Sequence, residues 1–145
     1  MFARCLSWGV LLCVLVSFVS GCGSTGSPTA SGGTISGTIN YAGPAAGGGR
    51  PLAIAVYRKT PPSGPPVAWR LVESYQFPYR YSFDNLPPGN YVVGALIDVD
   101  PTDTRYTGML NAKRDPHGYS NGGGLVHIDD QRGAVALDIK LESVE

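Results

Sequence analysis

Asp98-Val99-Asp100-Pro101-Thr102-Asp103 is the densest run of carboxylates in the chain. Together with Asp115, and with Asn111 or loop carbonyls beside them, these side chains could meet a hard cation such as Ca²⁺, which takes about six to eight oxygens. The run is not an EF-hand. Counted from Asp98, the glycine position of that loop holds Asp103 and its closing glutamate position holds Met109. The competing reading is that Asp and Pro shape a solvated turn, with Arg105 and Arg114 as counter-charges.

The remaining polar residues exclude more than they suggest. His117 and His127 are the only histidines and are not closely spaced. One G-x-S-x-G occurs, Gly118-Tyr119-Ser120-Asn121-Gly122, but glycines and no helical pattern follow it, so it does not read as the strand-to-helix nucleophile elbow. Gly47-Gly48-Gly49-Arg50 does not open a helix, so it is no phosphate loop. These absences argue for a non-catalytic domain. With 11 basic and 11 acidic residues the chain lacks the basic excess of a nucleic-acid binder. Aromatic side chains offer a second binding chemistry, because outward-facing rings stack on sugar faces. Tyr75 and Phe77, beside Pro78, are the aromatics expected at the surface. Tyr119 stands with Tyr106, Met109, Leu110 and His117 in the segment after Asp98, a mixture suited to a ligand-facing surface.

The elements that would position these residues are strands. Period-two alternation recurs from Thr34 onward. Ile35, Ile39 and Tyr41 share a face, as do Leu52, Ile54 and Val56. Val67, Trp69 and Leu71 are expected to form another buried face. Tyr79, Tyr81 and Phe83 alternate with Arg80 and Ser82, and Val135, Leu137, Ile139 and Leu141 with Ala136, Asp138 and Lys140. Residues 91–97, YVVGALI, are apolar on both faces and predict a central strand; residues 125–128, LVHI, predict a short one with His127 facing out. Residues 98–124 are expected to be a long loop. The 20 glycines, 12 prolines and low charge exclude a coiled coil. About seven short strands without disulfides predict an all-β protein, an antiparallel β-sandwich.

The amino-terminal residues predict where such a domain resides. Arg4 precedes an apolar run, Leu6 to Val19, too short for a membrane span of about 20 residues and without a basic cluster after it. The segment closes Val19-Ser20-Gly21-Cys22, which resembles the bacterial lipobox. That resemblance implies cleavage before Cys22 and lipidation of its thiol, which makes 1–21 a lipoprotein signal peptide and attaches the chain to a membrane. Cys5 and Cys13 leave with the signal, so no cysteine remains for disulfide, metal or nucleophile. Gly23 follows Cys22. The absence of Asp there favours the outer membrane in a Gram-negative source. Residues 22–33 are the lipidated Cys and a flexible tether, with a span near 20 Å at about 5–6 Å × √n, and 34–145 are the domain.

Ser36-Gly37-Thr38-Ile39, the strand LAIAVYR and above all Tyr81-Ser82-Phe83-Asp84-Asn85-Leu86-Pro87-Pro88-Gly89-Asn90-Tyr91 resemble carboxypeptidase regulatory-like domains, the transthyretin-like and Cna-B-like sandwiches. The last stretch matches their y-x-F-x-x-L-P-P-G-x-Y hairpin. The segments Asp98-Val99-Asp100 and Asp115 to Asn121 are similar to small secreted bacterial domains. The resemblance implies a transthyretin-like or Ig-like fold and an accessory role, supporting a partner envelope protein or binding a surface ligand. Transthyretin-like iron enzymes use Tyr and His ligands, and the related ureide hydrolases end in Tyr-Arg-Gly-Ser. The sequence here ends LESVE and has no close histidine pair, so neither activity is implied.

Overall fold

The computed structural model describes residues 32–43, 49–102, 110–129 and 133–144. They form an all-β sandwich of two sheets. The strands are β1 (Gly33–Asn40), β2 (Leu52–Tyr57), β3 (Ala68–Val72), β4 (Tyr79–Leu86), β5 (Gly89–Ile97), β6 (His117–Tyr119), β7 (Val126–Ile128), β8 (Ala134–Ala136) and β9 (Ile139–Lys140). One sheet has the order β4-β1-β8, with β9 also on β1; the other has the order β3-β2-β5-β6, with β7 also on β5.

The expected seven strands reappear because two of them are interrupted. β6 and β7 are one strand alongside β5, broken by a 3₁₀ turn at Ser120–Gly123. The fully buried Ser120 Oγ accepts the Val93 N–H (3.0 Å), a main-chain donor that the broken ladder would otherwise leave unpaired. β8 and β9 are likewise one strand, broken at Leu137-Asp138, where the Asp138 carboxylate accepts the Thr38 N–H (2.8 Å). This last strand runs parallel to β1, whereas the other ladders among the described residues are antiparallel. Alternation fixes which side chains point inward but not the direction of the neighbour, so the parallel pairing is not visible in the sequence.

The core follows the period-two reading closely. Ile35, Ile39, Leu52, Ile54, Val56, Tyr81, Phe83, Tyr91, Val93, Ala95, Ile97, Ile139 and Leu141 are buried and contiguous. β5 is buried from Tyr91 through Ile97 and lies between β2 and β6/β7, as a strand apolar on both faces must. Tyr81 donates its hydroxyl to the Leu137 carbonyl, and Tyr91 donates to the Pro87 carbonyl.

Three expectations are corrected. Leu86-Pro87-Pro88-Gly89 is not a hairpin: β4 pairs with β1 and β5 with β2, so the motif carries the chain from one sheet to the other. Phe83, Leu86 and Tyr91 are buried around it all the same. Residues 98–124 are not a loop throughout, since β6 and the 3₁₀ turn occupy 117–123. Val67, Trp69 and Leu71 face outward. Leu52, Ile54 and Val56 face the core, and their partners on β3 are Val72, Arg70 and Ala68. A one-residue change of register exchanges the faces of a strand, and here the register places Trp69 opposite Ala55 on the outside. Arg70, on the inward parity at the open edge, lays its guanidinium over the Phe83 ring (5.7 Å) and donates to the Ser82 carbonyl (3.4 Å).

One flank of the sandwich is joined. The His117 N–H donates to the Glu142 carbonyl (3.3 Å), and the Glu142 N–H donates to the His117 carbonyl (3.0 Å), which links β6 to the strand that runs along β1. β3 and β4 are the edges of the opposite flank.

Tyr81 gives the fold an alkaline limit. Burial, and then the nearby Asp138 carboxylate, push its phenol above its ordinary 10.0. A group whose folded value is raised contributes its full stability below the unfolded value and loses it as pH rises toward the folded one. Thermal midpoints are therefore expected to fall above about pH 10, and to fall less steeply in Tyr81→Phe; equal slopes in the two proteins would remove Tyr81 as the cause.

Candidate functional site

Cys22 and Asp103 lie outside the described residues, so the acidic run is described through Asp98, Asp100 and Asp115. Asp98 is buried, and its Oδ1 accepts the Asp100 N–H (3.1 Å). Asp115 is buried too: one carboxylate oxygen accepts the Val99 N–H (3.3 Å) and the other the Asn111 N–H (2.8 Å). Asp100 accepts from the Thr102 hydroxyl (2.6 Å) and from the Arg114 guanidinium (2.6 Å). These two donors, the hydroxyl first, hold its carboxyl below the ordinary 3.8. The geometry assigns each of the three carboxylates to donors of the loop itself. Among the described residues no three acidic, histidine or cysteine side chains gather to hold a metal ion.

Tyr75 and Phe77 are half-buried in an edge-to-face cluster at one end of the core. Tyr75 packs on Phe77 (5.4 Å between centroids) and on Tyr79 (6.5 Å), and Phe77 packs on Tyr41 (5.7 Å). The Tyr75 hydroxyl donates to the Arg50 carbonyl (2.9 Å). Ring faces and hydroxyl are both engaged, which is how aromatics behave when they close a core.

Tyr119 stands elsewhere, on the outer face of the β3-β2-β5-β6 sheet. Register places Trp69 opposite Ala55 and Leu71 opposite Ala53. It places Ala55 opposite Gly94 and Ala53 opposite Leu96, then Gly94 opposite Tyr119 and Leu96 opposite His117. None of these outward positions carries a formally charged side chain, although outer faces of antiparallel sheets are ordinarily polar. Trp69 is 67% exposed, and Val67 and Leu71 beside it are exposed as well.

The middle of this face is concave. A groove of about 130 Å³ has Ala53, Ala55 and Gly94 in its floor, Tyr57 and Tyr119 as walls, and His117 at its rim. Gly94 makes the floor: a Cβ there would lie 3.0 Å from the Tyr119 ring and 3.9 Å from that of Tyr57, so the absent side chain lets the two phenols close over the backbone. Desolvation raises the pKa of both phenols. Each stays a protonated donor at neutral pH. His117 Nδ1 lies 2.8 Å from the Asp115 carbonyl, which only accepts, so Nδ1 carries a proton; in that neutral tautomer Nε2 holds the lone pair. His127 is exposed, as expected, with Nδ1 2.9 Å from Asn90 Oδ1, and stands outside the groove.

Tyr57, Ala53, Ala55 and Gly94 are not among the residues that the sequence singled out. The available signal was β2 itself: its outward positions are Ala, Ala and Tyr, too small and too uncharged for a solvated face. No helix among the described residues is long and apolar enough to cross a membrane. Compared with protein-family models, with curated proteins and with solved structures, the chain matches none.

Proposed function

We propose that this chain is an exported, lipid-anchored envelope protein whose β-sandwich is a non-catalytic binding or structural-interaction module. The anchor is Cys22, at the end of the apolar segment in Val19-Ser20-Gly21-Cys22, and residues 22–33 hold the domain near the membrane. The binding role is supported by one observation above the others, the uncharged outer face with an exposed Trp69 and a groove beside it. Contiguous apolar surface of this kind marks interaction sites. The acidic segment supports calcium less well, because its described carboxylates already serve donors of the loop.

Membrane fractionation tests the anchor. The wild-type chain is expected in the membrane fraction and to incorporate a labelled fatty acid. Cys22→Ala is expected to lose the label and to leave that fraction. Unchanged labelling and fractionation of the variant would refute lipidation at Cys22.

A further inference from the structure

We propose that the groove between Tyr57 and Tyr119 binds one ring of a neutral saccharide. The inference rests on the reading of the domain as a non-catalytic binding module, and not on the anchor.

Size sets the first limit. A cavity of about 150 Å³ accepts a benzene ring, so a groove of about 130 Å³, open on its outer side, takes a single six-membered ring of a longer chain. Charge sets the second. Among the described residues no formally charged side chain lines the groove, so none of them would compensate a phosphate, a carboxylate or an ammonium group on desolvation.

Hydrogen bonding decides among neutral ligands. Tyr75, Tyr81 and Tyr91 each spend the hydroxyl on a main-chain carbonyl. The hydroxyls of Tyr57 and Tyr119 have no such partner among the described residues, and neither does His117 Nε2. The groove therefore offers two donors and one lone pair over an apolar floor. Leaving such groups desolvated and unpaired under a ligand is costly. A purely apolar ring would do that. A proline-rich segment would satisfy the phenols through its carbonyls, but it has no N–H to give to Nε2. A sugar ring presents C–H faces to the alanines and the phenol rings, and hydroxyls that both donate and accept.

The test is calorimetric titration of the full chain in detergent with hexasaccharides of glucose, xylose and N-acetylglucosamine, with hexaproline as comparison. Saturable binding of at least one hexasaccharide is expected. Tyr119→Ala is expected to weaken it about tenfold or more, a loss of about 1.4 kcal/mol. Tyr57→Phe, which keeps the ring and removes only the hydroxyl, is expected to weaken it several-fold with the thermal midpoint preserved. Absence of binding to all three hexasaccharides, binding of hexaproline alone, or undiminished binding in both variants would overturn the proposal. Release of new reducing ends would leave the groove standing and refute the non-catalytic reading.

Discussion

Replacing Asp115 by Ala is expected to destabilise the domain by about 2–4 kcal/mol. Asp115 is 3% exposed, and its two oxygens accept the Val99 and Asn111 N–H groups across the connection between β5 and β6. Alanine leaves both donors, on half-buried residues, without this partner, at about 1–3 kcal/mol for each unsatisfied group; the longer bond, at 3.3 Å, takes the lower part of that range. Asp115→Asn keeps one oxygen and is expected to cost about half as much. Urea unfolding of the three proteins measures the differences. The same experiment decides between bracing and cation binding. A carboxylate that braces the loop acts equally with chelator and with millimolar calcium, whereas a calcium ligand adds stability only when the ion is present, by mass action. The wild-type midpoint is expected to be the same in both conditions. A calcium-specific rise that Asp115→Ala abolishes would return the acidic segment to a metal-binding role.

Period-two alternation made the sandwich legible because burial acts on side-chain direction, and direction is what alternates. Ile35 and Ile39, Leu52, Ile54 and Val56, Tyr81 and Phe83, and Ile139 and Leu141 all point inward as their spacing predicts. The reading fails where both parities of a strand tolerate burial or exposure. In β3 the two sets are Val67-Trp69-Leu71 and Ala68-Arg70-Val72, and hydrophobicity alone selects the first for the core. The structure selects the second, because register on β2 is set by Leu52, Ile54 and Val56, and because an edge strand can direct Arg70 along Phe83 to the rim. Pairing partners were less legible still. The Pro87-Pro88 turn reads as a hairpin because its strands adjoin in sequence, yet they lie in different sheets.

The site was legible only in part, for a related reason. Sequence neighbourhood points to Tyr119, which lines the groove. A place beside a proline points to Tyr75 and Phe77, whose rings are half-buried in an edge-to-face cluster. The groove is made by three strands that are distant in sequence, by the small side chains of Ala53 and Ala55 and by the absence of one at Gly94. The small outward residues of β2 are a local signal, but the concavity depends on which strands pair beside them, and that no local pattern encodes.

Gly118→Ala is expected to be the most damaging small substitution on the joined flank, costing about 3 kcal/mol or more. An added Cβ would lie 2.1 Å from the Lys140 carbonyl oxygen and 3.2 Å from the Ile139 side chain. The first neighbour is backbone and cannot rotate aside, so β6 must part from β9. Overpacking of a close contact costs about 1–3 kcal/mol where flexible side chains absorb it; here the flanking hydrogen bonds between His117 and Glu142 would be strained as well. Displacement of β6 would also move His117 and Tyr119, one residue to either side. The variant is therefore expected to lower the thermal midpoint and any affinity of the groove together. Gly122→Ala is the control. It sits in the 3₁₀ turn, three residues after the end of β6, at a positive φ of 59°, with open space where its Cβ would point. Backbone strain of about 1 kcal/mol is its expected cost. Equal losses in the two variants would show that the joined flank has no special role in holding the outer sheet to the core.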